Sequence, residues 1–505
     1  MAANAINLRA VRLDDSERIF AWRNRPEIVA LGSLQRSVSW EEHASWFQDT
    51  LIGELRALYI VEEDGQAIGQ IRFDWQGKRQ GEVSIYLLPE FMGRGLGVAA
   101  LWKGCQLAFA SGRAGRISAH IRKENPRSLA TFIKVGFFPS RLEEARPGHD
   151  CLCLYPRDQV VPHNRLTYGE EEVEAVASVV RSGNWTSGTV SARLETRLAT
   201  CAGAAGAVAV GSGLGALRLA LLALGIKVGD AVAVPAYSCV ALANAALACG
   251  AQPVPVDVEP DTWNISPTAL RAARNLHPNM KAIIAVHTFG VPARVSELAS
   301  TGLPVVEDCS HAFGVEPFGR LGEIAILSLY ATKLMGSGQG GALLSKNPDI
   351  LVYGRSGRDY VDKAPSPLNL NDRNTDIEAS LALCQLDRLP VMLKRRRELA
   401  ECYRKGLKSR QTGKDVLRLP LVTPERIWYR FAVSVPDAAK IVDRMKSNGV
   451  DAAQPVDNWL GDKIRDHPVS EQAYRTLVSL PLYPSLTEFE QQRAMETFLN
   501  AVSDN

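Results

Sequence analysis

Two patterns of apolar spacing divide the chain. Before Tyr155, short runs alternate apolar and polar residues with period two: ALYIVEED (57–64), AIGQIRFDW (67–75) and GEVSIYLLP (81–89). Successive side chains of a strand point to opposite faces, so each run predicts a strand with one buried face. Asp64-Gly65 supplies hairpin turn chemistry between the first two, which predicts a mostly antiparallel sheet. A helix is predicted to open at GLGVAALWKGCQLAFA (95–110). After Pro156 the polar, proline-bearing segment RDQVVPHNRLTYG reads as a connection. Helical stretches EEEVEAVASVVRSG, ALRLALLALG and ALANAALACG then interleave with the apolar runs GAVAVG, AVAVPA, PVPVDV, KAIIAVH and VVEDC. Apolar strands separated by helices predict a parallel sheet covered on both faces. Near the end, WYRFAVSV reads as a strand and AAKIVDRMKSNGV as an amphipathic helix, together a small α+β part.

Composition sharpens this α/β picture. At 505 residues the chain exceeds the roughly 250–300 that one core serves efficiently, so at least two folding units are expected. The patterns place them at 1–155, 169–414 and 415–505, with 156–168 as linker. Lys and Arg number 58 against 55 Asp and Glu, a net charge of +3, and no basic stripe carries interleaved aromatics; a nucleic-acid partner is not expected. No apolar run reaches membrane-spanning length, and the start lacks the layout of a secretory signal. The nine cysteines are scattered, and the closest pair, Cys151 and Cys153, has no partner pair at zinc-finger spacing. Reduced thiols in a cytoplasmic protein, with no metal site, are the expectation.

The densest chemistry lies in SLYATKLMGSGQGGALLS (328–345), where Lys333 sits between a β-type run and a glycine-rich turn. The strand of LPVVEDCSHAFG ends at Asp308. Upstream, GSGLGALRLALLALG sets a Gly/Ser turn on a helix start, where free N–H groups and the positive end of the helix dipole favour a phosphate. An amine, a carboxylate and a phosphate cradle together suit pyridoxal phosphate. These motifs, with EEEVEAVASVVRSGNW, GDAVAVPAYS, GAQPVPVDVEPDTWNIS, HTFGVPA and NLNDRNTDIEASLALCQLDRL, run in family order, and residues 163–500 resemble the DegT/DnrJ/EryC1/StrS sugar aminotransferases. The resemblance implies a homodimeric fold-type I enzyme using pyridoxal 5′-phosphate, glutamate as amino donor and a nucleotide-linked keto-deoxy sugar as acceptor. It implies Lys333 as the Schiff-base lysine, Asp308 as partner of the pyridine nitrogen and His311 beside the phenolic oxygen. It puts Ser328, Gly213 and Leu214 in the phosphate cradle, which Asn371 reaches from the other subunit. Leu214 replaces the usual threonine, leaving that contact to backbone amides. Cys239 replaces a common stacking aromatic, leaving Tyr237 or a softer contact from the Cys239 thiol as substitutes against the cofactor ring. The stretch around Pro455 is short where the family meets its substrate.

In the first part, GEVSIYLLPEFMGRGLGVAALWKGCQLAFA leads a strand through Gly93, Arg94, Gly95, Leu96 and Gly97 into a helix, a backbone that can approach a pyrophosphate closely. Downstream, ENPRSLATFIKVGFF supplies Asn125 and Phe132. With AWRNRPEI, SWEEHASWF and AIGQIRFD, residues 6–155 resemble the GNAT acyltransferases, nearest the branch that acetylates nucleotide-linked amino sugars, as in pseudaminic acid synthesis. That implies acetyl-CoA held in a splayed sheet. Met92 stands at a usual Gln/Arg position and Phe132 where many members carry a tyrosine acid. Glu82 is the expected base, with Asp74 and His43 as alternatives, and the amide of Leu87 or Leu88 polarises the thioester. In series, the two halves would aminate a nucleotide keto sugar and acetylate the resulting amino sugar. The alternative leaves the first half with another amine, or as a non-catalytic ligand-binding module.

Overall fold

The computed structural model describes residues 6–32, 35–77, 79–143, 145–156, 160–186, 188–359, 370–408, 417–456 and 466–503. The middle of the expected linker (157–159) and the expected boundary at 414/415 lie outside the described residues. The chain forms two compact units, 1–160 with 495–504 and 161–494.

The first unit is a seven-stranded sheet: β1 (Ile6–Ala10), β2 (Arg56–Glu63), β3 (Gln66–Trp75), β4 (Gln80–Leu87), β5 (Arg116–Arg122), β6 (Phe138–Pro139) and β7 (His149–Leu154), in the order β1-β2-β3-β4-β5-β7-β6. Its neighbours are antiparallel except β4 and β5, which run parallel and pair only from Gln80–Glu82 against Arg116–Ser118. Beyond Glu82 the two strands part. One face carries helix Leu96–Ala110, whose Ala100, Leu101 and Cys105 pack on Ile71, Phe73, Val83 and Ile117. Gly104 permits this close seat, since a Cβ there would lie 2.6 Å from the Ile71 side chain. The other face meets helices Ser16–Arg23 and Trp40–Ile52 through Ile19, Phe47, Leu58 and Ile60. Ser39 and Glu42 close a capping box at the start of the second of these helices.

The larger unit holds β8 (Gly206–Val210), β9 (Ala231–Pro235), β10 (Gln252–Val256), β11 (Met280–Val286), β12 (Val305–Asp308), β13 (Ile324–Ser328) and β14 (Gly341–Ser345), ordered β10-β9-β11-β12-β13-β14-β8. Apolar side chains leave both faces, building one core with helices Gly213–Ala223 and Ala241–Ala248 and another with Thr189–Ala202 and Asp376–Lys408. The expectation of a parallel sheet needs one correction: β14 is antiparallel to both neighbours. Only turns and bends lie between Ser328 and Gly341, with no crossover helix to carry the chain back for a parallel return. A two-stranded antiparallel ribbon, β15 (Phe431–Ser434) and β16 (Leu477–Leu480), packs with helix Ala438–Ser447. Among the described residues, no helix is long and apolar enough to cross a membrane.

The 33-residue helix Asp376–Lys408 also serves its neighbour. Its buried first residue, Asp376, accepts hydrogen bonds from the N–H groups of Gly188 (3.0 Å) and Ser191 (3.1 Å) and from the Ser191 hydroxyl. Gly188 has no capping side chain, so this carboxylate caps helix Thr189–Ala202 from outside. Asp376→Ala should lower unfolding stability by about 2–4 kcal/mol, measured by urea denaturation of the full chain.

Candidate functional site

In the larger unit, the C-terminal ends of β8, β12 and β13 lie along one edge of the sheet. Gly341, opening β14, pairs with both Val210 and Ser328. Just past β8, the Ser212 hydroxyl accepts from Gly215 N (3.0 Å) and starts helix Gly213–Ala223. The first N–H groups of a helix lack intrahelical partners, so those of Gly213 and Leu214 remain for an anion. A Cβ on Gly213 would lie 2.8 Å from that of Ser328, which explains glycine there and sets the Ser328 hydroxyl against the turn. The Gly211 N–H donates to Asp372 O, and Asp372 pairs with the buried Arg218. Asn371, next along, is exposed.

Lys333 lies in the β13–β14 connection, which is closed by Leu329 N to Gly340 O (2.9 Å) and Ala331 N to Gly338 O (3.1 Å). Its Nζ is 3.2 Å from His311 Nε2. The His311 ring stacks on Tyr429 (centroids 4.2 Å apart) and lies 6.1 Å from Phe289. Burial, then the charges of Lys333 and Arg430, holds the His311 pKa well below its ordinary value, so the ring is neutral at pH 7. His311 Nδ1 is buried without a hydrogen-bond partner. Burial works against ionising Tyr429, yet the charges of Lys333, Arg430 and Arg396 bring its phenol below the usual value.

Asp308 ends β12, buried, with one carboxylate oxygen accepting from Ser310 N (2.9 Å). Its neighbour Glu307 points to the opposite face of the strand. Glu307 accepts from His287 Nε2 (3.0 Å) and from the N–H groups of Gly319 (3.1 Å), Leu321 (2.7 Å) and Gly322. The structure thus brings Lys333 and His311 into contact and sets Ser328 against Gly213. Tyr237 is fully buried edge-on to Phe289, and Cys239 is exposed. Pro455 is described, but the residues that follow it, 457–465, are not. Sequence reasoning missed Tyr429 and Glu307. An aromatic pair opening the strand-like run WYRFAVSV, and an acidic pair ending an apolar strand, were the available signals.

In the first unit, Gly93 and Gly95 adopt left-handed conformations (φ 80° and 82°) and lead the backbone into helix Leu96–Ala110. Arg94 pairs with Glu63 (2.8 Å) and Gly97 packs on Leu87 and Thr131. Asn125 caps helix Pro126–Val135 through Ser128 N (3.1 Å), and Phe132 is buried on Phe137. Leu88 N donates to Ile68 O (2.8 Å), so its amide is not the one facing the gap. Strand alternation turns Leu87 N toward β5, into the space where β4 and β5 have parted. Met92 ends a short 3-10 turn, and its side chain packs against the core of the first unit. Glu82 pairs with Arg146 (2.6 Å), and Asp74 with Arg56 (3.2 Å) and Arg72 (2.8 Å). His43 is buried among Phe20, Trp40, Trp46 and Phe47 with Nε2 on Ser16 O (2.9 Å), and burial lowers its pKa. Asp74 and Glu82 are direct cross-strand partners on β3 and β4, His43 lies on helix Trp40–Ile52, and each is already partnered.

A family model described as the DegT/DnrJ/EryC1/StrS aminotransferase family matches residues 167–499, and one described as an acetyltransferase (GNAT) domain matches residues 5–138. Among solved structures, the aminotransferase TlmJ from Streptoalloteichus hindustanus is 27% identical, covering 68% of this chain and 99% of its own, with a TM-score of 0.61. DesV of S. venezuelae, solved in complex with a ketimine intermediate, is 29% identical over 65% of this chain and 93% of its own, TM-score 0.60. The ntda protein of Bacillus subtilis, solved with bound cofactor PMP, is 26% identical over 69% and 87%, TM-score 0.63.

Burial opposes the charge on Glu307, but the His287 hydrogen bond and the backbone donors outweigh it and hold its pKa below the ordinary 4.5. A depressed carboxylate stabilises the fold above its unfolded pKa and loses that contribution as pH falls through the folded one. Glu307→Gln should therefore cost about 1–3 kcal/mol at pH 7. In urea titrations at a series of pH values, the gap from wild type should hold down to the ordinary carboxylate range and close below it.

Proposed function

The chain belongs to the DegT/DnrJ/EryC1/StrS aminotransferase family, and from that membership we propose that it transfers an amino group from glutamate to a nucleotide-linked keto-deoxy sugar and then acetylates the new amine. Two classes of chemistry are not in question: the larger unit is a pyridoxal-phosphate-dependent aminotransferase, and the first carries a GNAT domain, which uses acetyl-CoA. The contact that carries the site reading is Lys333 Nζ beside a neutral His311, at the edge that also holds the Gly213–Ser328 cradle.

These residues fit pyridoxal phosphate. His311 Nδ1 is buried without a hydrogen-bond partner, the amides of Gly213 and Leu214 open a helix, and Asp308 sets a buried carboxylate at a strand end. When bound, the cofactor supplies an aldehyde carbon for amines and a ring that withdraws electrons. Gly213, Leu214 and Ser328 would hold its phosphate, and Asp308 the proton of its ring nitrogen. Lys333 would move the donor's proton at Nζ, and His311, kept neutral by burial, would orient that amine without competing for the proton. General acid–base transfer of this kind contributes roughly 10²–10⁴ in rate. The exposed Asn371 suits a contact to the cradle of a second copy, which would make the active form a homodimer.

In the first unit, the Gly93–Gly97 turn would hold the pyrophosphate of acetyl-CoA and Leu87 N would polarise its thioester carbonyl. Glu82 drains the amine's proton through water, once displaced from Arg146. Tethering supplies an effective concentration of about millimolar order between the units, which favours matched supply of a common pathway over channelling.

Gly213→Val should raise the dissociation constant for pyridoxal phosphate at least about tenfold, read by absorbance titration, with the circular dichroism of the chain unchanged. The full chain given pyridoxal phosphate, glutamate, a nucleotide keto sugar and acetyl-CoA should release free thiol and acetamido sugar in equal amounts. Amino sugar that accumulates while acetyl-CoA stays intact sinks the serial reading. Lys333→Ala should abolish amination yet still acetylate amino sugar added directly.

A further inference from the structure

The sheet face of the first unit that lies opposite helix Leu96–Ala110 is covered unevenly. Over β2 it is apolar, with Leu58 and Ile60 packed on Ile19 and Phe47. Over β3 and β4 it turns polar, because the cross-strand pairs there are Gln70 with Tyr86 and Arg72 with Ser84. Gln70 is only 6% exposed, yet its Oε1 has no hydrogen-bond partner. The Tyr86 hydroxyl on the paired strand is likewise buried and unpartnered. Buried polar atoms are nearly always paired, so two orphans on one cross-strand pair mark the place of a hydrogen-bonding ligand.

The charges nearby say which ligand. Arg23, at the end of helix Ser16–Arg23, and Arg72 each set their guanidinium carbon 5.8 Å from the Trp46 ring. Arg72 is compensated by Asp74 at 2.8 Å. Arg23 is half-buried and, among the described residues, makes no ion pair. Its burial, and then the charge of Arg72, lowers its pKa. A half-buried guanidinium without a carboxylate, next to a second one, is relieved by a phosphate that accepts from both. The place is also right for the reaction: Tyr86 immediately precedes Leu87, whose N–H faces the gap between β4 and β5.

We propose that this polar face is the acceptor site of the first unit, in which Arg23, seconded by Arg72, binds a diphosphate while Gln70 and Tyr86 hydrogen-bond the sugar attached to it. The proposal rests on the reading that the acceptor is a nucleotide-linked amino sugar. The diphosphate of acetyl-CoA is the other possible source of such an anion, but the Gly93–Gly97 turn already offers that group a helix start.

The test uses the full chain and its Arg23→Ala and Arg23→Gln variants, with unchanged urea unfolding and circular dichroism of the full chain as the check on folding. UDP, dTDP and inorganic pyrophosphate are titrated calorimetrically. Wild type should show a class of sites that both variants bind on the order of 30-fold more weakly, while acetyl-CoA affinity is unchanged. In acetyl transfer, the variants should raise KM for a nucleotide-linked amino sugar by a similar factor and leave KM for the same sugar without its nucleotide within about twofold. Identical titrations in wild type and variants, or a loss of acetyl-CoA affinity in place of the nucleotide, overturn the proposal. A wild-type chain that binds UDP through Arg23 but releases no thiol would keep the diphosphate site and sink the serial reading instead.

Discussion

The site of the larger unit depends on two stretches of backbone that touch. A Cβ on Gly341 would fall 2.5 Å from Ser212 O, and one on Gly213 would meet Ser328 at 2.8 Å. Glycine at these positions lets the turn after β8 press against the strands on either side of the Lys333 loop. The Gly213 turn and the lysine loop are thereby held by one close contact, and preorganisation of this kind is what positions groups within a fraction of an ångström. Glu307 supports the same edge from beneath, tying His287 and the 319–322 turn to the strand whose last residue is Asp308.

The two units open a helix from a glycine-bearing turn by different local means. In the first, Gly95 turns the chain through a left-handed conformation before the helix. In the second, Ser212 is extended and caps the helix itself, and glycine follows because a neighbouring strand leaves no room. The glycines of the two motifs thus answer to different constraints, torsional in one case and steric in the other.

Much of this was legible in the order of residues, because strand alternation and helix starts are local. The runs 57–64, 67–75 and 81–89 became β2, β3 and β4 with ends shifted by only a residue or two. Lys333 and Asp308 stood out through the turns and strand ends that carry them. The direction of β14 was not legible, since its apolar run GALLS reads the same either way and it is the lack of a crossover helix between β13 and β14 that goes with the antiparallel return. Tyr429 reaches His311 across more than a hundred residues, a contact that exists only after folding. Arg23, Gln70 and Tyr86 look like ordinary surface residues of three separate elements until the sheet brings them to one face. The choice between Leu87 and Leu88 likewise needed the ladder, because adjacent amides differ only in which neighbour they address.

The parting of β4 and β5 leaves an interior seam in an otherwise continuous sheet. Peptide groups along that seam lack the strand that would normally answer them, so an extended guest carrying its own amides can serve as a borrowed strand. Occupancy then becomes part of the architecture of that unit: by mass action, its resistance to unfolding rises with the concentration of the guest. Supply of such a guest would set not only how fast this half works but how long it lasts.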